Sequence, residues 1–198
     1  MADLQDDVVE TDGDTRRARR IAPWIAGGVA IVVFALFIVL MTADTGRQES
    51  AASPLIGNVA PDAHGVLEDG TPFDLSRRKG SWVVLNFFTH NCVPCIREHP
   101  ELIEFTKQQQ ALGNDGAELY TIVRDSSRDQ VGDFFAERGG EWPVVYDPEF
   151  SFSNKFGVLL VPETWIIDPD GFVRARIISE VTAEGLGSMI QQMRTGAS

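Results

Sequence analysis

Apolar positions recur along most of this chain with two different periods, one typical of strands and one typical of helices. Three short runs rich in β-branched or aromatic residues have the character of buried strands: Trp82–Phe88, Glu118–Val123 and Val144–Tyr146. Between them the apolar side chains recur at helical spacing, first from Cys95 to about Gly113 and then from Ser127, which can cap a helix, to Arg138. Strands that alternate with helices predict an α/β fold.

Turn residues place a hairpin at each end of this pattern. Near its start, Ala60–Asp62 and Glu68–Phe73 are expected to be short strands, with Asp69–Gly70 in a tight turn. Near its end, the turn Asp168–Gly171 separates two predicted strands, Val161–Ile167 and Phe172–Ile178. A brief helix is expected near Phe150–Phe156, and a last helix is expected from Thr182 to Met193.

The N-terminal part of the chain has a different composition. Residues 1–20 are charged and form a predicted cytoplasmic tail, whereas residues 21–43 contain no ionisable side chain and are long enough for a transmembrane helix. Residues 44–54 are small and polar, which is typical of a flexible linker. We therefore expect an anchor at 21–43 and a folded domain at 55–198.

The distribution of arginine gives the anchor an orientation. Four arginines lie immediately before the apolar run and only Arg47 lies close after it, so the positive-inside rule predicts a cytoplasmic N-terminus and an extracytoplasmic domain. A cleaved signal peptide usually has a shorter apolar core and small residues at its cleavage site, and Thr42–Ala43–Asp44 fits this poorly. Arg16–Arg17 resembles part of a twin-arginine signal, but two further arginines replace the apolar residues expected after it.

The net charge makes two classes of partner poor matches. The 198 residues carry a formal charge of −12. The first 20 residues contain six acidic and four basic side chains, so −10 of this charge belongs to the rest of the chain. An acidic domain is a poor match to nucleic acid or to an anionic membrane surface. We expect another protein's thiols as its partner.

Cys92 and Cys95 are the only cysteines, and the predicted strand Trp82–Phe88 leads into them. At the start of a helix their sulfurs can bridge, and the unpaired N–H groups of the first turn favour a thiolate at Cys92. Cys92 is then the attacking thiol and Cys95 the resolving thiol of a dithiol–disulfide exchange. Pro94 fits this location because proline is tolerated in a first helical turn.

Two other uses of a C-x-x-C pair fit this sequence less well. A structural zinc site usually has four ligands, and the chain has no second cysteine or histidine pair to supply them, although His90 and His99 flank the motif. A purely structural disulfide would close a loop of four residues, which removes little entropy from the unfolded chain. The pattern therefore favours redox chemistry, and no metal or other cofactor is predicted.

Residues 87–102, with Cys92, Cys95, Glu98 and Pro100, resemble the active-site segment of membrane-anchored thioredoxin-like proteins of the TlpA/ResA/CcmG (DsbE-like) type. A second resemblance covers Gly157–Gly171, the segment that carries a cis-proline in this family. The resemblance spans roughly residues 55–198. It implies a thioredoxin-like fold, in which helices flank a central mixed sheet that is extended by an N-terminal hairpin.

The family resemblance also assigns roles to single residues. It implies a cis Val161–Pro162 bond that exposes the Val161 backbone to a substrate chain. The Pro–Glu–Thr sequence is closest to members that reduce disulfides for cytochrome c maturation, and it makes Glu163 the candidate acidic residue that tunes the cysteines. Glu98 is expected on the helix surface. Asn91 stands where the family usually has tryptophan, which makes the rim beside Cys92 more polar.

These observations predict an exported, membrane-tethered thiol-disulfide oxidoreductase. It would reduce a disulfide-containing exported client, with apocytochrome c as the client that the family implies, and it would receive electrons from a membrane donor. Two alternatives stay open at this point. One is a peroxiredoxin-like peroxidase, since Thr89-x-x-Cys92 matches part of such a site although Leu85 replaces the expected proline. The other is a copper chaperone for an exported oxidase, using both thiolates.

Overall fold

A seven-stranded mixed sheet forms the centre of the domain in the computed structural model, which describes residues 28–38 and 50–196. The strands are β1 (His64–Leu67), β2 (Pro72–Asp74), β3 (Val83–Phe88), β4 (Glu118–Val123), β5 (Val144–Tyr146), β6 (Glu163–Ile167) and β7 (Val173–Ile178). The helices are α1 (residues 28–38), α2 (Val93–Ala111), α3 (Arg128–Arg138), α4 (Ser151–Phe156) and α5 (Ala183–Thr195).

The strand order is β2-β1-β5-β4-β3-β6-β7. Strands β3, β4 and β5 are parallel to their neighbours in this group, and the strands on either side pair antiparallel. All six residues of β3 are buried because this strand has neighbours at both edges and side chains packed on both faces. Neighbouring strands and packed side chains therefore fix the position of the strand that leads to Cys92.

The two faces of the sheet carry different layers. Leu85 and Phe87 of β3 point to one face and pack with Phe152 and Phe156 of α4 and with the N-terminal hairpin. Val84 and Phe88 point to the other face, where α2, α3 and α5 pack. This alternation along β3 follows from the two-residue period of a strand. The mixed sheet with helical layers and an N-terminal hairpin is the architecture that the resemblance implied.

Most helix starts follow from local sequence. The Ser127 hydroxyl accepts from the N–H of Gln130, whose side chain in turn accepts from the Ser127 N–H, which completes a capping box for α3. Thr182 caps α5 through the N–H of Gly185. Both caps confirm the predicted helix starts. Helix α2 continues through Pro100, which has no N–H to donate.

The N-terminal hairpin differs from its prediction. Its first strand is His64–Leu67 and not Ala60–Asp62, because the chain at 60–63 makes no ladder pairing and Val59 instead bridges to Phe172. The turn at 68–71 was located correctly, and its Asp69 carboxylate accepts from the N–H of Thr71.

Only part of the predicted anchor is described. Residues 28–38 are helical, while the rest of the segment 21–43, the charged tail 1–20 and most of the linker 44–54 lie outside the described residues. Within the two described ranges, no helix combines the length and the apolar character that crossing a bilayer requires.

Candidate active site

Cys92 and Cys95 form a disulfide at the start of α2, with their Cα atoms 5.2 Å apart. Cys92 is the N-cap residue of the helix, and its sulfur accepts from the Cys95 N–H at 3.2 Å. Cys92 is half-buried, whereas Cys95 is only 1% exposed. Only the first sulfur is therefore accessible to another protein. Once the disulfide is reduced, the free N–H groups of the first turn stabilise negative charge on Cys92.

The surroundings of this pair include the predicted cis-proline. The Val161–Pro162 bond is cis, which confirms the prediction, and the carbonyl oxygen of Val161 lies 3.6 Å from the Cys92 sulfur. The oxidised sulfur has no proton to donate, so this approach is a packing contact in the disulfide form. Pro94 lies in the first turn of α2, as predicted. Segments 92–95 and 161–162 therefore lie next to each other.

Glu98 is not on the helix surface, and this expectation was wrong. Its side chain is 1% exposed, and it shares the inward face of α2 with Cys95, one turn away. Its Oε1 accepts from Asn86 Nδ2 at 2.8 Å and its Oε2 accepts from the Val181 N–H at 3.0 Å. Burial raises the pKa of Glu98 to about 7, the nearby charge of Glu180 adds to this, and the two hydrogen bonds oppose it.

The Asn86 amide links Glu98 to the strand that follows the cis-proline. Asn86 on β3 lies directly opposite Thr164 on β6, and its Nδ2 donates to Thr164 Oγ1 at 3.2 Å as well as to Glu98. Among the described residues, the Asn86 Oδ1 atom has no hydrogen-bond partner although it is buried. The network therefore contains one unused acceptor next to a carboxyl group that titrates near neutrality.

Glu163 is buried on the opposite face of the sheet. Its neighbours Phe87 and Trp165 belong to the core under α4, and its carboxylate accepts from Trp165 Nε1 at 2.7 Å. Arg176 donates to both of its oxygens, each at 3.0 Å. Glu163 is thus a paired carboxylate within a strand and not an exposed loop residue. Its tuning of the cysteines stays a prediction.

The other side of Cys92 is polar. Asn91 is exposed, and its side chain accepts from the Thr89 hydroxyl at 3.2 Å. His90 contacts Ser126 through its backbone N–H at 3.1 Å and through Nδ1 at 2.9 Å. In the described part of the chain, no group of three or more histidine, cysteine or acidic side chains is placed to hold a metal ion.

From sequence alone, Glu98 is placed on the wrong side of α2 and no role is predicted for Asn86 or Thr164, although the helix holds a usable signal for Glu98. The buried positions of α2 follow helical spacing: Cys95, Glu98, His99, Leu102, Phe105 and Gln109. A carboxylate three residues after an inward cysteine and four before an inward leucine must face the same way. Asn86 and Thr164 gave no such signal, because their meeting depends on how two distant strands pair.

Comparison with known proteins places this geometry in a family. Residues 56–176 match the AhpC/TSA family. The thiol-disulfide oxidoreductase ResA of Bacillus subtilis (strain 168) is 30% identical over 178 residues, which cover 88% of this chain and 92% of that protein. The thiol:disulfide interchange protein HelX of Rhodobacter capsulatus is 31% identical over 129 residues, which cover 64% of this chain and 69% of that protein.

A solved structure agrees in fold. A secreted thiol-disulfide isomerase from Corynebacterium glutamicum is 27% identical, with a TM-score of 0.62 over 75% of this chain and 92% of that one. The chain therefore belongs to the AhpC/TSA family and, within it, to the thioredoxin-like thiol-disulfide oxidoreductases of the TlpA/ResA/CcmG type.

Proposed function

We propose that this protein reduces disulfides of exported proteins from the outer side of the cytoplasmic membrane, to which residues 21–43 tether it. The cysteine geometry carries the proposal: an accessible sulfur caps a helix and a buried sulfur lies within bonding reach behind it. The arginine cluster before the apolar run supports a cytoplasmic N-terminus. The family resemblance supports a role in cytochrome c maturation, with apocytochrome c as a client.

The reaction transfers two electrons from the protein to the client. The Cys92 thiolate attacks one sulfur of the client disulfide, so that a mixed disulfide forms and the other client sulfur leaves as a thiolate. The Cys95 thiolate then attacks Cys92, which closes the Cys92–Cys95 bond and releases the client's second thiolate. The client has gained two electrons and, after protonation, two protons. A membrane-bound dithiol donor returns the oxidised pair to the dithiol.

The accessibility of the two sulfurs predicts different phenotypes for their variants. Cys92→Ser should abolish reduction of a protein disulfide, because no accessible nucleophile remains. Cys95→Ala should trap the client covalently on Cys92, which non-reducing electrophoresis detects as a slower band that dithiothreitol removes. Retained activity in the Cys92→Ser variant would refute the mechanism.

The location needs its own test. A reporter enzyme that is active only outside the cytoplasm, fused after Ser50, should be active in cells, and a reporter that is active only inside should not be. The opposite pattern would refute the topology and leave the thiol chemistry intact.

Two assays separate this function from the alternatives. A peroxidase would form a sulfenic acid at Cys92 with stoichiometric peroxide and would turn over peroxide with thiols. A copper chaperone would bind Cu(I) tightly through both thiolates and leave protein disulfides unchanged. We expect neither result at a rate or affinity that competes with disulfide reduction.

A further inference from the structure

Two leucines before the cis-proline are exposed to an unusual degree. The side chains of Leu159 and Leu160 are 82% and 76% exposed, the highest values for large apolar residues in the described part of the chain. Single exposed leucines are common on protein surfaces, whereas larger exposed apolar patches mark sites that bind other molecules. We call Leu159 and Leu160 the leucine rim.

The backbone of the leucine rim is fixed from both ends. Val158 and Pro162 are buried on either side of it, and the Ser179 N–H donates to the Pro162 carbonyl at 3.1 Å. Arg124 Nη1 donates to the Leu159 carbonyl at 3.2 Å, although that arginine is itself mostly buried. The exposure of the two leucines is therefore a property of a held conformation and not of a loose loop.

The leucine rim is followed directly by the residue that contacts the reactive sulfur. Leu160 precedes Val161, whose carbonyl oxygen lies 3.6 Å from Cys92 Sγ. Val93, the residue after Cys92, is 61% exposed, so an apolar side chain is also accessible on the helix side of the cysteine pair. A client that forms a bond to Cys92 must place the residues flanking its own cysteine within reach of this surface. The client segment around the target cysteine is therefore the expected occupant of this surface, because that cysteine forms the mixed disulfide with Cys92.

We propose that the leucine rim binds apolar side chains next to the target cysteine of the client and so selects which disulfides are reduced. This inference rests on the proposed function, since it assigns the client's flanking residues a place beside Cys92. The client segment is extended and carries residues such as leucine, valine or phenylalanine beside its cysteine. Burial of these residues against the two leucines adds binding free energy that a polar segment does not gain.

Two cyclic peptides test this selection. They share one disulfide and one sequence, except that the residues beside each cysteine are leucine in one peptide and serine in the other. For the reduced wild-type full chain, kcat/KM should be about tenfold higher for the leucine peptide, since one partly buried leucine is worth about that factor. In the variant Leu159→Ser/Leu160→Ser the ratio of the two kcat/KM values should fall to about one. Leu159→Met/Leu160→Met should retain most of the preference.

A matched control lies at the opposite end of α2. Leu112 is 51% exposed at the C-cap of that helix, far along the chain from the cysteines, so Leu112→Ser should retain the wild-type ratio. A wild-type ratio near one would overturn the inference and leave the proposed function standing. So would a loss of rate in the double serine variant that is equal for both peptides. Failure of the wild type to reduce either peptide or a small aromatic disulfide would instead overturn the proposed function.

Discussion

Replacing Glu98 by glutamine should make the protein more stable at alkaline pH and leave it nearly unchanged at acid pH. The pKa of this carboxyl rises from its ordinary value of 4.5 to about 7 in the folded protein, mainly because the side chain is buried. Below pH 4.5 the group is protonated in both states and costs nothing. Between pH 4.5 and 7 the unfolded chain loses the proton while the folded protein keeps it, so the free energy of unfolding falls as pH rises.

The size of the effect follows from the two pKa values. A change from 4.5 to about 7 corresponds to about 3 kcal/mol of unfolding free energy, lost by the wild type between pH 4 and pH 8. The variant has no proton to lose at this position and does not share the loss. Its new amide can still accept from the Val181 N–H, and a half-turn of the Asn86 amide offers the unused Oδ1 as an acceptor. The change in hydrogen bonding should therefore cost at most about 1 kcal/mol.

Urea unfolding of the oxidised protein at pH 4.5 and pH 8 measures this difference, because the bridged cysteines do not titrate. We expect Glu98→Gln to equal the wild type within about 1 kcal/mol at pH 4.5 and to exceed it by about 2–3 kcal/mol at pH 8. Glu104 is exposed on the same helix, and Glu104→Gln should change stability by less than about 1 kcal/mol at either pH. A difference between Glu98→Gln and the wild type that does not vary with pH would refute the reasoning.

Three further predictions concern stability, each measured by urea unfolding. Arg176→Met should lower the free energy of unfolding by about 3–5 kcal/mol because it leaves the Glu163 carboxylate buried without its cation. Adding Glu163→Gln should recover much of this loss. A double variant as unstable as the single one would contradict the pairing. Burial lowers the pKa of His99, so the unfolded chain takes up a proton before the folded protein does as pH falls. Between pH 7 and pH 5 the wild type should therefore lose stability relative to His99→Phe. Equal losses in the two proteins would contradict this. Ser127→Ala should cost about 1 kcal/mol through loss of the capping box, whereas no loss would mean that the cap is not formed in solution.

The order of strands and helices was predictable because it depends on signals in the local sequence. The period of the apolar residues, the turn at 168–171 and the caps Ser127 and Thr182 each act over a few residues. The placement of β1 beside β5 was not predictable in this way, since it joins segments about 80 residues apart. The prediction of Ala60–Asp62 as a strand failed for the same reason: a strand needs a partner, and the ladder pairing of β1 begins only at His64, opposite Asp74 of β2.

The two carboxylates show where local reasoning stops. Family resemblance points to Glu163, and its location in a strand predicts no partner because Arg176 lies on another strand, β7. The register of β6 and β7 pairs Glu163 with Ile178, which puts Arg176 two residues along the partner strand, within reach of a long side chain. Glu98 was expected outside, although the spacing from Cys95 pointed inward. Helical geometry was sufficient to find its direction, and only the packing of α2 on the sheet could show its depth.

The position of Glu98 predicts that its proton is coupled to the second half of the proposed exchange. Cys95 must become a thiolate to release the client, and it does so at a position that is 1% exposed and one helical turn from Glu98. Two buried negative charges at that spacing oppose each other, so a proton kept on one favours the loss of a proton from the other. With a pKa of about 7 in the disulfide form, Glu98 holds its proton in a large share of molecules at neutral pH. We therefore expect Cys95 and Glu98 together to set the pH dependence of client release. Glu98→Gln should remove the contribution of the carboxyl group to this pH dependence and retain the contribution of the Cys95 thiol.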